Sequence, residues 1–219
     1  MLAYEGQRVL VGRISAVTSA HSVRGFSMVE LLITISIMAI LMAAISPSMS
    51  EWIANVKLRG TAEVTMTGLQ QTRAEAIKQN RVVTFWLVSP ATAAALDATC
   101  ALASDSSSWV ISLNNPADHC DVAVSTPPAL PVDPFIVESH GAGPSARGTT
   151  VAALTSSNAA ASSIGFDGFG QLVNPAAAIR TIDFTSALLG TRRIRVQIAA
   201  AGSVRMCDRD VATPDPRAC

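Results

Sequence analysis

The 219-residue chain has little charge and few aromatic side chains: charged residues make up 15% of it and aromatic residues 5%. Its 16 lysine and arginine residues balance its 16 acidic residues, which excludes a histone-like polycation and an acidic solvating tail. The low charge, together with 49% apolar residues, argues against intrinsic disorder. Because aromatic residues are scarce, any core must be built mostly from aliphatic side chains.

Motifs of common enzymes are also missing. The chain contains neither a G-x-S-x-G nucleophile elbow nor a Walker A loop. His21 lies near the N-terminus, and His119 and His140 lie in segments rich in proline and glycine, so none of them is tied to a nucleophile. Cys120 follows His119 directly, but the C-x₂-C spacing of zinc sites is absent. We therefore expect no enzyme activity, no cofactor and no metal site.

The apolar residues are concentrated in one uncharged run, residues 31–50. Twenty residues of helix rise about 30 Å, the thickness of a bilayer's hydrocarbon core. Arg13 and Arg24 precede the run, which predicts a cytoplasmic N-terminus and an exported C-terminal part. A secretory signal peptide and a simple N-terminal anchor are the alternatives. Neither explains Glu30, because a carboxylate at the start of an apolar run is costly unless it has a partner.

The stretch Gly25-Phe26-Ser27-Met28-Val29-Glu30 resembles the type III signal of type IV pilins and type II secretion pseudopilins. The resemblance implies that a prepilin peptidase cuts after Gly25 and methylates the new N-terminal residue, Phe26. It also implies that Glu30, the fifth mature residue, pairs with the N-terminal amine of a neighbouring subunit. A buried charge needs an opposite charge, so each newly added subunit would have to bring its N-terminal amine to this carboxylate. That pairing would set the axial register of assembly.

Three further segments resemble the GspH/FimT family of minor pilins and pseudopilins, and most of all its FimU branch: residues 73–82, 164–170 and 193–207. The resemblance implies an α+β, type IV pilin-like fold. Its long N-terminal helix, transmembrane in the first half, packs on an antiparallel β-sheet head. We expect a leader at residues 1–25, a transmembrane or filament-core helix at 26–50, an amphipathic helix half at 51–80 and a periplasmic head at 81–219.

The implied function is that of a minor type IV pilin, which co-assembles with other minor pilins and the major pilin to prime the fibre at or near its tip. The implied location is the inner membrane, with a single span and a periplasmic head, before incorporation into the fibre. The alternative is a minor pseudopilin of a type II secretion system. The expected leader is long for this class, so translation from Val11 or Val17 is a second hypothesis.

Residue spacing predicts the secondary structure of the mature chain. A helix is expected from Phe26 to about Gln79, and its second half has one packing face, made of Leu58, Ala62, Thr65, Leu69, Thr72 and Ala76 at spacings of three and four. Seven segments read as strands: 82–88, 109–113, 135–138, 162–167, 179–184, 193–198 and 203–207. Residues 199–203 read as a hairpin turn, and the glycine-rich stretch 165–170 as a tight turn rather than a phosphate loop.

The four cysteines are Cys100, Cys120, Cys207 and Cys219. An even number in an exported chain predicts disulfide bonds, of which three connectivities exist. Pairing between neighbours along the chain, Cys100 with Cys120 and Cys207 with Cys219, is favoured.

Four arginines form a candidate DNA-binding cluster: Arg192, Arg193, Arg195 and Arg205. Guanidinium groups bind phosphates, and some FimT-type minor pilins bind DNA through a C-terminal G-R-x-R motif. Here the matching tetrad is Gly202-Ser203-Val204-Arg205, in which Ser203 replaces the first arginine. The alternative is a solvated strand face whose arginines pair with Asp208 or Asp210.

Overall fold

The structure, a computed structural model, describes residues 25–90, 95–124 and 132–219. The expected leader, apart from its last residue Gly25, and the hypothetical start sites Val11 and Val17 lie outside these residues. For residues 44–48 and Ser145 it describes the backbone alone. The chain divides into two compact units, Met1–Ala44 and Ile45–Cys219.

One long helix, α1, extends from Met28 to Gln79 and so confirms the predicted helix to within two residues at its start. Ser27 caps it, because its Oγ accepts a hydrogen bond of 3.3 Å from the N–H of Val29. The helix ends at Asn80, whose φ of 49° is left-handed. The N–H groups of Asn80 and Arg81 donate to the carbonyls of Ile77 and Ala76, which is the hydrogen-bond pattern of a Schellman cap.

In the first unit, the helix is apolar and exposed on all sides. The large apolar side chains from Phe26 to Met42 are between 52% and 85% exposed. Among the described residues, no helix is both long enough and apolar enough to cross a membrane. The predicted transmembrane half, residues 26–50, is thus not confirmed and stays a prediction.

In the second unit, the helix buries the face that the spacing predicts. All six residues of that face are at most 1% exposed: Leu58, Ala62, Thr65, Leu69, Thr72 and Ala76. The two threonine hydroxyls are satisfied within the helix, since Thr65 donates to the carbonyl of Thr61 and Thr72 to that of Gly68. The stripe therefore buries no unpaired hydroxyl.

In the described part of the chain, nine strands follow the helix: β1 (Val83–Leu87), β2 (Trp109–Ser112), β3 (Ile136–His140), β4 (Thr149–Leu154), β5 (Ser163–Phe166), β6 (Leu172–Val173), β7 (Thr181–Ser186), β8 (Ile194–Ile198) and β9 (Val204–Asp208). They form two sheets, ordered β3-β2-β1-β5-β6 and β4-β7-β8-β9, and every neighbouring pair is antiparallel. The expected antiparallel head is confirmed, and its strands are divided between two sheets. Strands β4 and β6 were not predicted, and a short 3₁₀ helix, Gly143–Ala146, precedes β4.

The main core lies where both sheets meet the buried face of the helix. Its largest fully buried members are Phe85, Phe166 and Phe184, one from β1, one from β5 and one from β7, and most of the others are aliphatic. Strand β8 alternates as predicted, with Ile194, Val196 and Ile198 buried and the side chains between them facing outward. This alternation places Arg195 and Gln197 on the outer face of the second sheet.

Both predicted disulfides are present, Cys100–Cys120 and Cys207–Cys219. The first holds the loop after β1 against a small second core that includes Val88, Val110 and Ile136. The second ties the C-terminal tail to β9, beside a hydrogen bond of 2.7 Å from the N–H of Asp208 to the carbonyl of Arg217. Closing loops of 12 to 20 residues contributes about 3 kcal/mol each in the chain-entropy model.

Candidate functional site

The start of the helix carries the residues expected to be processed and assembled. Gly25, Phe26 and Glu30 are all exposed, and Phe26 is 77% exposed. A Cβ on Gly25 would meet no atom within 4 Å in the described part of the chain, so packing there does not require glycine.

Glu30 stands in the first turn of α1, three residues after the capping Ser27. Ser-x-x-Glu is the spacing of a capping box, and a carboxylate here interacts favourably with the helix dipole. Among the described residues, however, the Glu30 carboxylate has no hydrogen-bond or ion-pair partner. Stabilising the start of the helix is therefore one possible role of Glu30. An experiment on the role of Glu30 in assembly has to distinguish the two.

The three segments that carry the family resemblance meet in the head. Arg73 of α1 donates from Nε to the carbonyl of Gly170 at 2.9 Å. A Cβ on Gly202 would collide with that same carbonyl, and a Cβ on Gly168 would collide with Asn80 at the helix end. The helix, the β5–β6 turn and the β8–β9 turn are thus in close contact at three points. This junction explains why glycines stand at these positions, and sequence spacing alone did not predict it.

The glycine-rich stretch is a tight turn, as predicted. Asp167 Oδ1 accepts hydrogen bonds of 2.9 Å from the N–H groups of Phe169 and Gln171. The N–H of Gly170 donates to the carbonyl of Asp167. Because these N–H groups already have protein acceptors, they do not form a phosphate cradle. The turn presents Phe169 to solvent, where its side chain is 82% exposed.

Three of the four predicted arginines are held by carboxylates on the outer face of the second sheet. Arg195 binds Asp183 through two hydrogen bonds of 2.6 and 2.7 Å, and Arg209 adds a third at 3.1 Å. Arg193 binds Asp210 through Nε at 2.6 Å. The predicted alternative partners are confirmed, because Arg192 lies 3.5 Å from Asp208.

These contacts change the ionisation of the groups involved. The hydrogen bond from Arg193 holds the pKa of Asp210 below its ordinary value, and the same bond raises the pKa of Arg193. The hydrogen bonds to Asp183 raise the pKa of Arg195. Asp183 itself is only 8% exposed and lies opposite Arg195 in the β7–β8 register. Sequence reasoning missed Asp183, because only the strand register brings it beside Arg195.

Arg205 differs from the other three predicted arginines. It lies opposite Gln197 and donates to its Oε1 at 3.1 and 2.7 Å, on the same face as Arg195 but offset by two residues. Arg205 and Arg180, which sequence reasoning did not select, line one surface pocket of about 410 Å³ with the hydroxyls of Ser156 and Ser203. Arg180 also donates to the carbonyl of Ile198 at 2.8 Å, and Arg205 to the main-chain oxygen of Cys219 at 3.4 Å. Among the described residues, neither arginine pairs with an aspartate or glutamate side chain.

Comparison with known families decides the classification. The model of the family described as type II transport protein GspH matches residues 61–202, which is most of the chain. The chain belongs to the GspH family. A prokaryotic N-terminal methylation motif matches residues 21–46 and covers the segment that holds Gly25, Phe26 and Glu30. GspH family members are structural pilin-like subunits rather than enzymes.

Two solved structures resemble this GspH family member, both of the type IV minor pilin FimU from Pseudomonas aeruginosa. One has 18% sequence identity and a TM-score of 0.45, and covers 72% of this chain and 92% of FimU. The other has 17% identity and a TM-score of 0.41, and covers 71% of this chain and 97% of FimU. These values are too low to extend the function of FimU to this chain. No curated protein matches it.

Among the described residues, no group of three or more histidine, cysteine, aspartate or glutamate side chains is placed to hold a metal ion. His119 and Cys120 do not come together as ligands, because Cys120 is bonded to Cys100.

Proposed function

We propose that this GspH family member is a minor type IV pilin. It is made as a precursor, cut after Gly25, methylated on Phe26 and anchored in the inner membrane with its head in the periplasm. It then joins other minor pilins and the major pilin to prime the fibre at or near the tip. The observation that carries the proposal is the methylation motif at residues 21–46, which includes the start of an apolar helix with exposed side chains.

The surface of the N-terminal part of the helix supports the proposal that this chain assembles with other subunits. Between Phe26 and Met42 the side chains cover every side of the helix, so no single face is set aside for water. Such a helix is stable only where lipid or other apolar helices surround it. Both environments fit a subunit that leaves a membrane and enters a fibre.

Glu30 supplies the specificity that an apolar surface lacks. Apolar contacts alone would allow neighbouring helices to slide along each other, because they are not directional. A carboxylate surrounded by such helices is stabilised by one group of opposite charge, and cleavage after Gly25 creates such a group, the amine of Phe26. One pair for each added subunit defines one register.

Two substitutions at Glu30 separate register from capping. Glu30→Gln keeps a side chain that fits a capping box but has no charge, whereas Glu30→Ala removes both. We expect both variants to be cut and methylated, and both to lose co-purification with partner pilins by about a hundredfold or more, since breaking a buried ion pair costs about 3–5 kcal/mol. Affinity purification followed by quantitative mass spectrometry measures this loss.

Glu63→Gln is the matched control, because Glu63 is an exposed helix glutamate in the head that pairs with Arg59. It should assemble like the wild type. Normal assembly of Glu30→Gln together with failure of Glu30→Ala would assign Glu30 to the helix cap and reject the register role.

The alternative assignment is a minor pseudopilin of a type II secretion system, which the description of the matched family favours. Deletion of the gene separates the two. Loss of surface pili with normal protein secretion supports the minor pilin, and the reverse result supports the pseudopilin.

DNA binding is a second candidate function, favoured by the pocket that holds Arg180 and Arg205. The other three predicted arginines already donate to carboxylates, so we expect them to contribute less. A mobility shift of the full chain with duplex DNA at low salt tests this. Arg180→Ala/Arg205→Ala should abolish a shift that Arg192→Ala/Arg193→Ala leaves in place, and absence of any wild-type shift rejects the function.

A further inference from the structure

A surface groove of about 310 Å³ lies at one end of the second unit. Helix residues 50–57 form one wall, and the segments before β4 and after β7 form the other. Its lining is mostly apolar, with Ile53, Ala54, Ala187 and Leu188, but it also holds two cationic residues, Lys57 and Arg147. We name it the Lys57–Arg147 groove.

The groove follows directly after the uncharged run. That run ends at residue 50, where the helix wall of the groove begins. If residues 31–50 span the hydrocarbon core, as the proposed function requires, the next turns of helix lie at the level of the lipid head groups. The inference therefore rests on the proposed membrane anchorage.

The loop after β7 carries exposed apolar side chains beside the groove. Leu189 is 90% exposed and Leu188 is 48% exposed. Apolar side chains at such exposure gain little from the fold of the head. Leucine next to lysine and arginine is typical of a surface that lies in a membrane interface.

The loop is held in place rather than loosely attached. The N–H of Arg192 donates to Asn55 Oδ1 of the helix at 2.8 Å, and Thr191 Oγ1 donates to the carbonyl of Leu188 at 2.7 Å. Gly190 has a φ of 81° and lies so close to the Glu51 carboxylate that a Cβ would crowd it. These contacts fix the position from which Leu188 and Leu189 point outward.

The charges of the groove select the ligand. The side chains of Lys57 and Arg147 have no hydrogen-bond or ion-pair partner among the described residues. Neighbouring Arg59 and Arg192 are paired, with Glu63 and Asp208 respectively. Glu51 is the nearby carboxylate, and it packs against Gly190 without lining the groove. The groove thus combines two unpaired cations with apolar walls.

We propose that the Lys57–Arg147 groove binds an anionic phospholipid of the leaflet next to the head. Lys57 and Arg147 bind the head-group phosphate, while Ile53, Ala54 and Leu188 contact the glycerol and first methylenes. Leu189 enters the interface beside it. The bound lipid holds the head on the membrane until the subunit is extracted into a fibre.

The test uses the full chain in an uncharged detergent, to which phosphatidylglycerol or phosphatidylcholine is added at equal mole fraction. Native mass spectrometry counts the retained lipid. We expect the wild type to retain phosphatidylglycerol about thirtyfold better, since each basic residue near an anionic lipid contributes on the order of fivefold. Hydrogen exchange should slow in residues 50–57 and 186–192 when that lipid is bound.

Lys57→Gln/Arg147→Gln should abolish the preference for phosphatidylglycerol. The matched control is Arg59→Gln/Lys78→Gln, which removes two exposed helix cations outside the groove and should keep the preference. Leu189→Ser should lower retention of both lipids. Equal retention of the two lipids by the wild type, or an unchanged preference in Lys57→Gln/Arg147→Gln, overturns the proposal.

Two further arms identify other occupants. Slower hydrogen exchange in residues 50–57 with inorganic phosphate alone, at the same concentration as the lipid, would mean that the groove binds free phosphate. That result would overturn the lipid assignment. Protection that develops only when partner pilins are added would mean that a protein fills it, with the same consequence. Alkaline extraction of cell membranes tests anchorage separately, so a failure of the proposed function is distinguishable from a failure of the groove.

Discussion

Two stretches of the same helix behave in opposite ways. Between Phe26 and Met42 every large apolar side chain is exposed, whereas between Leu58 and Ala76 one stripe of side chains is completely buried. The first stretch is apolar on all sides and the second on one side. Within the described residues, only the second stretch is covered by its own chain, because the two sheets pack on its stripe.

The difference shows that the distribution of apolar residues around a helix indicates what covers it, its own chain or another molecule. A stripe at spacings of three and four fits a flat surface such as a sheet, which the same chain supplies here. A helix that is apolar all round needs cover on every side, and one small head does not provide it. The cover then comes from lipid or from other subunits, as we propose.

The strongest test of this comparison is to truncate one leucine in each stretch and compare the changes in the free energy of unfolding. Leu69→Ala should lower the free energy of unfolding by about 2–5 kcal/mol, because Leu69 is fully buried and its removal leaves a cavity. Leu32→Ala should leave it unchanged, because Leu32 is 63% exposed. Urea unfolding of the full chain in mild detergent, followed by tryptophan fluorescence, measures both. Similar losses for the two variants would contradict the contrast.

A smaller effect on stability distinguishes the two glycines of the second stretch, Gly60 and Gly68. A Cβ on Gly68 would lie 2.9 Å from the Trp109 ring and 3.0 Å from Phe85, whereas a Cβ on Gly60 would meet nothing within 4 Å. Gly68→Ala should therefore destabilise the head by about 1–3 kcal/mol through overpacking. Gly60→Ala should stabilise it by about 0.5–1 kcal/mol, because alanine favours a helix.

Thermal unfolding of the two glycine variants side by side is the measurement. The sign of the change is the critical result, since both substitutions add the same methyl group to the same helix. A loss of stability in Gly60→Ala would reveal a close contact at Gly60 and would contradict the open space found there.

The smallest effect concerns the charges at the end of the second stretch. The pKa of Glu75 lies below its ordinary value, mainly because Gln79 donates a hydrogen bond of 3.0 Å to it, with Lys78 adding a second contact. A lowered carboxyl pKa stabilises the fold above the ordinary pKa of glutamate, and this contribution is lost as the pH falls through the lowered value. Its size is a few tenths of a kcal/mol, as for other neighbours four residues apart.

Gln79→Ala should raise the pKa of Glu75 towards the ordinary range, which a carbon-13 NMR titration of the side-chain carboxyl detects. Arg81→Ala is the control, because Arg81 contacts Gln79 but not Glu75. An unchanged Glu75 titration in Gln79→Ala would assign the lowered pKa to Lys78 instead.

Much of the fold was predictable, because it depends on local patterns. The bounds of α1, its buried stripe, the alternation in β8 and the turn at 199–203 all follow from residue spacing and from turn residues, and each is confirmed. Strand β4 was missed because its alanines give a weak strand signal, and β6 because it has only two residues. Both exist because a neighbouring strand supplies their hydrogen bonds.

The candidate site divides in the same way. Gly25, Phe26 and Glu30 form a contiguous motif, so reading the sequence was sufficient to select them. The ion pairing of the arginines could not be predicted from the sequence, because Asp183 lies beside Arg195 only through the β7–β8 register. The Lys57–Arg147 groove was equally hidden, since helix residues 50–57 meet the segments around β4 and β7 only after the second sheet has formed.

The sequence by itself determined the family, the long helix and its two kinds of surface, and it favoured the pairing of neighbouring cysteines without deciding it. Each of these depends on residues close together in the chain, whose interactions are settled by helix period or by short loop closure. The tertiary structure alone decided the division into two sheets, the neutralisation of three arginines by carboxylates, and the glycine junction between α1 and two turns. These depend on contacts between residues far apart in sequence, and such contacts exist only once the sheets have packed on the helix.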